Sequence, residues 1–357
     1  MSSTLPSAEA LRDALGGLLD GLPPTQAAQA VERLIANYRG TTPTDAPVLR
    51  DRSDVAAYAA YRMPATFEAV RSALAALRDA APDWVPAAHT DIGGGTGAAS
   101  WAVAEAWQGE TPGPDGDPGP RTTVLDWAEP ALALGRELAA ASGAPALRAA
   151  RWQRARISAS LRIESTDLVT ISYVLKELTE SDRTAVIDEA ARAASAVVVV
   201  EPGTPDGYAR VIAARDRLIA AGLTVAAPCP HSAACPIVPG SDWCHFAARV
   251  SRSSLHRQVK GGSLPYEDEK FSYVAATRFP VTSATPVTPV TPVTPVTPAT
   301  ARIVRRPQIR KGLVLLDLCA ADGTLTRETV TKRRGALYKA SRDAEWGDPW
   351  PPPGEQE

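Results

Sequence analysis

Thiolates are the softest ligands a protein offers, and this chain has four cysteines, Cys229, Cys235, Cys244 and Cys319. The first three lie in one stretch, with five and eight residues between successive thiols. Pro228, Pro230, Pro236 and Pro239 keep that stretch out of regular helix or strand, so it can wrap a metal without distorting an element. Zinc modules more often use close Cys-x-x-Cys pairs, and none is present, which favours an iron-sulfur centre. His231 and His245 flank the loop cysteines and can complete a three-Cys one-His zinc site instead. A third reading is four unrelated packed thiols, because free cysteine is a common core residue. Cys319 is the most exposed to that reading, since it sits in an apolar run where a packed thiol is ordinary.

A second group with chemical potential is the loop Asp91-Ile92-Gly93-Gly94-Gly95-Thr96-Gly97. It follows an apolar run and opens a helical pattern, where glycines let backbone approach a ligand and amides meet polar groups. The next apolar run ends in Asp126, placed to accept hydrogen bonds from ribose hydroxyls. The Asp-x-Gly-Gly-Gly-Thr-Gly spacing points to S-adenosylmethionine rather than nicotinamide, with Asp91, Gly93, Gly95, Thr96, Gly97 and Asp126 as the cofactor-binding set. The competing reading is a domain that keeps the loop for its shape and binds nothing. No catalytic residue is assigned: the segment 172–178 has no Asn/Asp-Pro-Pro-aromatic loop, and Lys176 and Glu177 fit either an acid-base pair or an exposed helix start.

The elements that must hold these residues follow from periodicity. Residues 1–85 read as a helical preface, with helices over 8–20 and 27–38 and a third capped by Ser53, interrupted at Pro64 and resumed over 66–77. Residues 86–279 alternate strands (89–92, 122–127, 167–173, 196–201, 271–277) with helices (98–107, 131–142, 181–194, 207–221), which predicts an α/β fold of Rossmann type. Two irregular pieces interrupt it, a Gly-, Pro- and Asp-rich loop over 109–120 and the cysteine-rich insert 228–246. Residues 280–301 carry a Thr-Pro-Val repeat and read as an extended linker. Beyond it, 302–342 reads as a small basic β hairpin unit, with strands over 312–319 and 324–331 and a turn at Asp322-Gly323, and 343–357 as a disordered tail.

Charge and hydropathy narrow the function classes. The chain of 357 residues is 45% hydrophobic with a net charge of -2, an ordinary globular composition. No apolar run approaches the roughly 20 residues of a membrane-spanning helix, and the first residues lack a basic, then apolar, secretory pattern, so no membrane partner and a cytoplasmic location are expected. In that reducing compartment cysteines serve as ligands or free thiols rather than disulfides. The segment 302–342 is locally basic, and Lys332, Arg333 and Arg334 are its candidates for contacting RNA phosphates.

Several motifs together resemble the Rsm22 family, the methyltransferase-like proteins of the small ribosomal subunit in bacteria and mitochondria. They are Tyr61-Arg62-Met63-Pro64, the loop from Asp91 to Gly97, Val174-Leu175-Lys176-Glu177-Leu178, Glu201-Pro202-Gly203-Thr204, Cys229-Pro230-His231, Cys235-Pro236 and Trp243-Cys244-His245-Phe246. The resemblance implies a Rossmann-like class I methyltransferase fold and a 4Fe-4S cluster on Cys229, Cys235, Cys244 and Cys319. It also implies S-adenosylmethionine at Gly93, Gly95 and Gly97, and a role in small-subunit assembly through ribosomal RNA. The Thr-Pro-Val tract and the 109–120 insertion depart from the family pattern. The free protein is expected to be a monomer.

Overall fold

Strand β5 (Ala194–Pro202) carries Val197 to Val200 consecutively, the signature of a strand buried on both faces, and it lies inside the main sheet. The computed structural model describes residues 8–19, 52–108, 119–253, 264–279 and 301–352, with isolated positions between 25 and 32. In chain order the elements are α1 (Ala8–Leu19), α2 (Arg52–Ala80), β1 (Ala88–Ile92), α3 (Ala98–Ala106), β2 (Arg121–Asp126), α4 (Glu129–Ala141) and α5 (Pro145–Arg148). There follow β3 (Arg151–Arg154), β4 (Thr166–Ser172), α6 (Glu180–Ala193), β5, α7 (Pro205–Ala220), β6 (Thr224–Ala227), β7 (Phe246–Ser251) and β8 (Tyr266–Thr277).

The main sheet has the order β3-β2-β1-β4-β5-β8-β6, with β7 paired to β8. Strands β1 to β5 are mutually parallel, and β8 runs antiparallel between β5 and β6. This is the Rossmann-like methyltransferase architecture that the sequence pattern predicts. The strand order reverses between β1 and β4, so a crevice opens at their carboxyl ends, where the glycine loop lies. Apolar side chains of α2, α3 and α4, among them Phe67, Leu74, Trp101 and Leu138, cover one face, and Val186, Ile187, Val211 and Leu218 of α6 and α7 cover the other.

Several expectations need correction. Helix α2 runs unbroken through Pro64, with Ser53 inside it. Proline there removes one backbone donor, but Val55, Ala59, Met63, Phe67, Val70 and Leu74 bury one continuous stripe, and that burial outweighs the lost bond. Strands β3, β6 and β7 were not anticipated. Most of the expected helix over 27–38, nearly all of the 109–120 loop and linker residues 280–300 lie outside the described residues, and Ala301 already belongs to a strand.

The C-terminal unit is larger than a hairpin. Strands β9 (Ala301–Ile303), β10 (Gln308–Arg310), β11 (Leu313–Ala320), β12 (Leu325–Thr331) and β13 (Pro349–Trp350) form a five-stranded sheet, with α8 (Ala336–Asp343) packed on one face. The hairpin β11–β12 is as expected, but 343–352 are not disordered: Trp350 pairs with Ala301, is only 3% exposed, and donates its indole N–H to Glu328 at 2.7 Å. A large ring at that position fills the core of Ile303, Val314, Leu316, Val330 and Leu337, which a hairpin alone leaves open.

Candidate metal centre and glycine-loop crevice

The insert between β6 and β7 contains no helix or strand, as its prolines dictate, and loops back over α7. Its three cysteines and Cys319 of β11 line one cavity, together with Tyr208, Val211 and Arg215 of α7, Tyr273 of β8 and Arg302 of β9. The space amounts to about 510 Å³, counting its opening to solvent. Cys319 is delivered by the C-terminal sheet, so two segments far apart in sequence meet there.

Contacts around the thiols are polar and specific. The Tyr208 hydroxyl lies 3.3 Å from Cys235 Sγ, and His231 Nε2 lies 3.3 Å from Cys319 Sγ. The two units are bound together nearby. Arg302 Nε donates to the Pro228 carbonyl at 2.7 Å, Arg305 pairs with Asp242, and the His245 ring packs at a tilt of 53° against Trp346 with centroids 4.2 Å apart. Trp243 Nε1 ties the insert to the Gly203 carbonyl at 3.1 Å.

Burial holds Cys229, Cys244 and Cys319 in the protonated form. Burial first, and then the neighbouring thiols, push Cys244 far above the ordinary thiol range and Cys319 up to about 12. Burial also raises Cys229, against the opposing effect of Arg215. Four thiolates in one buried space need a metal to displace their protons. Burial lowers both His231 and His245, the latter to about 4, which keeps these rings neutral near pH 7. Among the described residues no three His, Cys, Asp or Glu side chains close around a single ion.

In the crevice, Gly93, Gly95 and Gly97 all have positive φ, as a tight strand-to-helix turn requires. Their neighbours are mostly the protein's own. A Cβ at Gly93 would meet Val174 at 2.5 Å, and one at Gly97 would meet the Trp152 ring at 2.6 Å, whereas Gly95 has only Asp126 Oδ2 near, at 3.8 Å. Gly95 is therefore the loop position whose glycine is not already demanded by close packing. Asp126 braces the loop: its carboxylate accepts Gly95 N–H at 2.9 Å and Ala128 N–H at 2.8 Å. Asp91 is fully buried, accepting from Ser100 at 3.1 Å and Thr170 at 2.9 Å, and burial pushes it up to about 6. Thr96 is buried within the same turn.

Lys176 and Glu177 sit on a short 3-10 turn, Leu175–Glu177, rather than an α-helix. Glu201 fixes that turn by accepting Leu175 N–H at 3.0 Å while paired to Arg210 Nε at 2.6 Å. Glu177 is exposed on this turn, and desolvation by its surroundings, then the charges of Asp126 and Glu201, push its carboxyl up to about 7. Tyr173, a non-glycine residue at φ 57°, donates to Glu269 at 3.1 Å, and Arg62 of α2 pairs with the same carboxylate at 3.1 Å. Lys332, Arg333 and Arg334 form an exposed turn after β12, with Arg334 ion-paired to Glu328. They lie on the C-terminal unit and do not line the cysteine cavity.

Arg215 and Arg302 are the site residues that the sequence reading missed. For Arg215 a signal existed: it falls on the same helical stripe as the buried Tyr208, Val211 and Leu218, a charge where an apolar residue belongs.

Comparison with known proteins agrees with the architecture and motifs. The human mitochondrial ribosome assembly protein METTL17 is 27% identical over 308 residues, which is 82% of this chain and 61% of that protein. The Rsm22-cox11 tandem protein 2 of Schizosaccharomyces pombe is 27% identical over 182 residues, 43% of this chain and 24% of that protein. The chain thus spans less than two thirds of either relative. Among solved structures, magnesium protoporphyrin IX methyltransferase of Synechocystis with bound SAM covers 60% of this chain and 80% of its own, at 16% identity and a TM-score of 0.37. The glycopeptide N-methyltransferase MtfA covers 57% and 90%, at 12% identity and a TM-score of 0.35. The fold rests on its strand order and not on these low scores. A profile of the mitochondrial small ribosomal subunit protein Rsm22 matches residues 52–351, and the chain belongs to the Rsm22 family.

Proposed function

We propose that this protein is a methyltransferase-like assembly factor of the small ribosomal subunit that binds a 4Fe-4S cluster through Cys229, Cys235, Cys244 and Cys319. The observation that carries this reading is the convergence of four thiols, three from a proline-rich loop and one from a separate sheet, on one cavity. When bound, the cluster supplies metal-thiolate bonds that fasten the C-terminal unit to the sheet domain. The chain's own residues do the rest. Arg302, Arg305 and Trp346 dock the unit, and Lys332 and Arg333 offer exposed charge to ribosomal RNA. The crevice over Gly95, flanked by Asp91, Gly93, Thr96, Gly97 and Asp126, is assigned to S-adenosylmethionine, and the cytoplasm is the assigned compartment.

The test of the metal reading is chemical analysis of anaerobically purified protein. About four irons with matching sulfide per chain are expected. Stoichiometric zinc without sulfide refutes the cluster and leaves a zinc-binding methyltransferase of a small molecule as the reading to pursue. A second reading, active methyl transfer to ribosomal RNA, draws on one observation. Glu177, held near 7 at the crevice mouth, can exchange a proton close to neutral pH. Labelled S-adenosylmethionine with small-subunit RNA from a deletion strain tests it, and no transferred label refutes it.

A further inference from the structure

Two arginines in the cysteine cavity are unexplained by the ligand set, one from each side of the joint. Arg215 of α7 is 1% exposed. Its Nη2 donates to the carbonyls of His231 at 3.1 Å and Ala233 at 2.7 Å, while its Nε has no partner. The one carboxylate it reaches, Asp216 at 3.3 Å, is itself largely in solvent. Arg302 of β9 stands opposite, paired across the ladder with Cys319 and therefore on the same face of the sheet. It donates to Pro228 and Gly347 carbonyls, each at 2.7 Å. Among the described residues, neither guanidinium pairs with a buried carboxylate.

A fully buried cation with no buried counter-charge costs several kcal/mol and is retained only where something anionic compensates it. The four cysteines line this cavity with the two arginines, and as metal-bound thiolates they would supply that anionic charge. We infer that Arg215 and Arg302 are the charge-compensating residues of the thiolate-bound centre, one contributed by each unit, and that they set how readily it accepts an electron. They are positioning and tuning residues, not ligands. A centre carried on four thiolates is net negative. Each added electron deepens that charge, so nearby fixed cations favour the reduced form.

The inference rests on the iron-sulfur reading, and its test separates the two. Holo protein and the variants Arg215→Gln, Arg215→Lys, Arg302→Gln and Arg302→Lys are loaded anaerobically and analysed for iron and sulfide. Each is then titrated with dithionite, which donates one electron to the loaded centre. Each Gln variant is expected to be at least tenfold harder to reduce, a fall of about 59 mV for a one-electron couple, with the Lys variants within threefold of the parent. A purely structural role would lower iron content without moving the potential of the loaded fraction. Gln variants that load fully and titrate with the parent overturn the inference alone. Should Arg215→Gln fail to fold, the Arg302 pair decides the same question. A parent without iron and sulfide overturns the reading beneath it.

Discussion

Replacing Cys319 by Ser removes the thiol that joins the C-terminal sheet to the cavity, and the structure fixes what that should cost. Cys244 and Cys319 are about 75 residues apart, and a cross-link closing a loop of that length is worth about 4 to 5 kcal/mol on chain-entropy grounds. In metal-free protein the same substitution loses only a packed thiol and its contact with His231, about 1 kcal/mol. The unit stays docked there through Arg302, Arg305 and Trp346. The two costs should therefore differ by about 3 kcal/mol or more between metal-loaded and chelated protein. Hydrogen exchange by mass spectrometry over residues 301–352 reads the opening of that unit directly, alongside urea denaturation of the whole chain. An equal loss in loaded and chelated protein would refute the idea that Cys319 fastens the units through a metal.

The remaining predictions probe the crevice and the basic turn. Gly135→Ala places a Cβ 2.3 Å from Trp152, so overpacking of about 1 to 3 kcal/mol should exceed the helix-propensity gain of about 1. Thermal denaturation should show the loss, and adding Trp152→Leu should recover part of it; a neutral Gly135→Ala counts against the wedge. Burial raises Asp91 from the usual carboxylate range to about 6, so its favourable contribution is complete below about pH 4 and is lost as pH rises through 6. That amounts to about 3 kcal/mol, and the stability of the parent relative to Asp91→Asn should fall across this window in urea melts. A flat difference would contradict it. Lys332→Ala with Arg333→Ala should weaken binding of a small-subunit RNA fragment and reduce its salt slope by about 1 to 2, while Arg334→Ala, which removes a cation already paired to Glu328, should change it less. An unchanged slope removes this turn from the contact.

The sheet's parallel centre was legible because β5 is an apolar run, β4 is largely one, and β1 and β2 carry apolar residues near their ends at Ile92 and Val124-Leu125, all separated by helical periodicity, although β1 also buries His89, Thr90 and Asp91. Strand β3 escaped because Arg151-Trp152-Gln153-Arg154 is an edge segment with little burial to impose alternation. Strand β7 does alternate, with Phe246, Ala248 and Val250 inside and Ala247, Arg249 and Ser251 outside, but its first residue abuts the cysteine motif and reads as part of the loop. Trp350 reads as tail because its core partners lie on β9 and β12, and no local window contains them.

The two candidate sites were legible in opposite ways. The glycine loop announces itself by spacing, yet the structure gives close-packing reasons for Gly93 and Gly97 in Val174 and Trp152, so the motif on its own overstates how much of the loop a cofactor requires. The cysteines announce only a type, and their meeting in one cavity depends on a C-terminal sheet that no spacing rule places. Arg215 reconciles these cases. Its position on the apolar stripe of α7 was readable in the sequence, but what compensates it was not, because the compensating groups come from the insert and, through Cys319, from a strand about 100 residues onward. A buried charge out of pattern thus marks where a separate part of the chain must arrive, and here it marks the joint that the four thiols share.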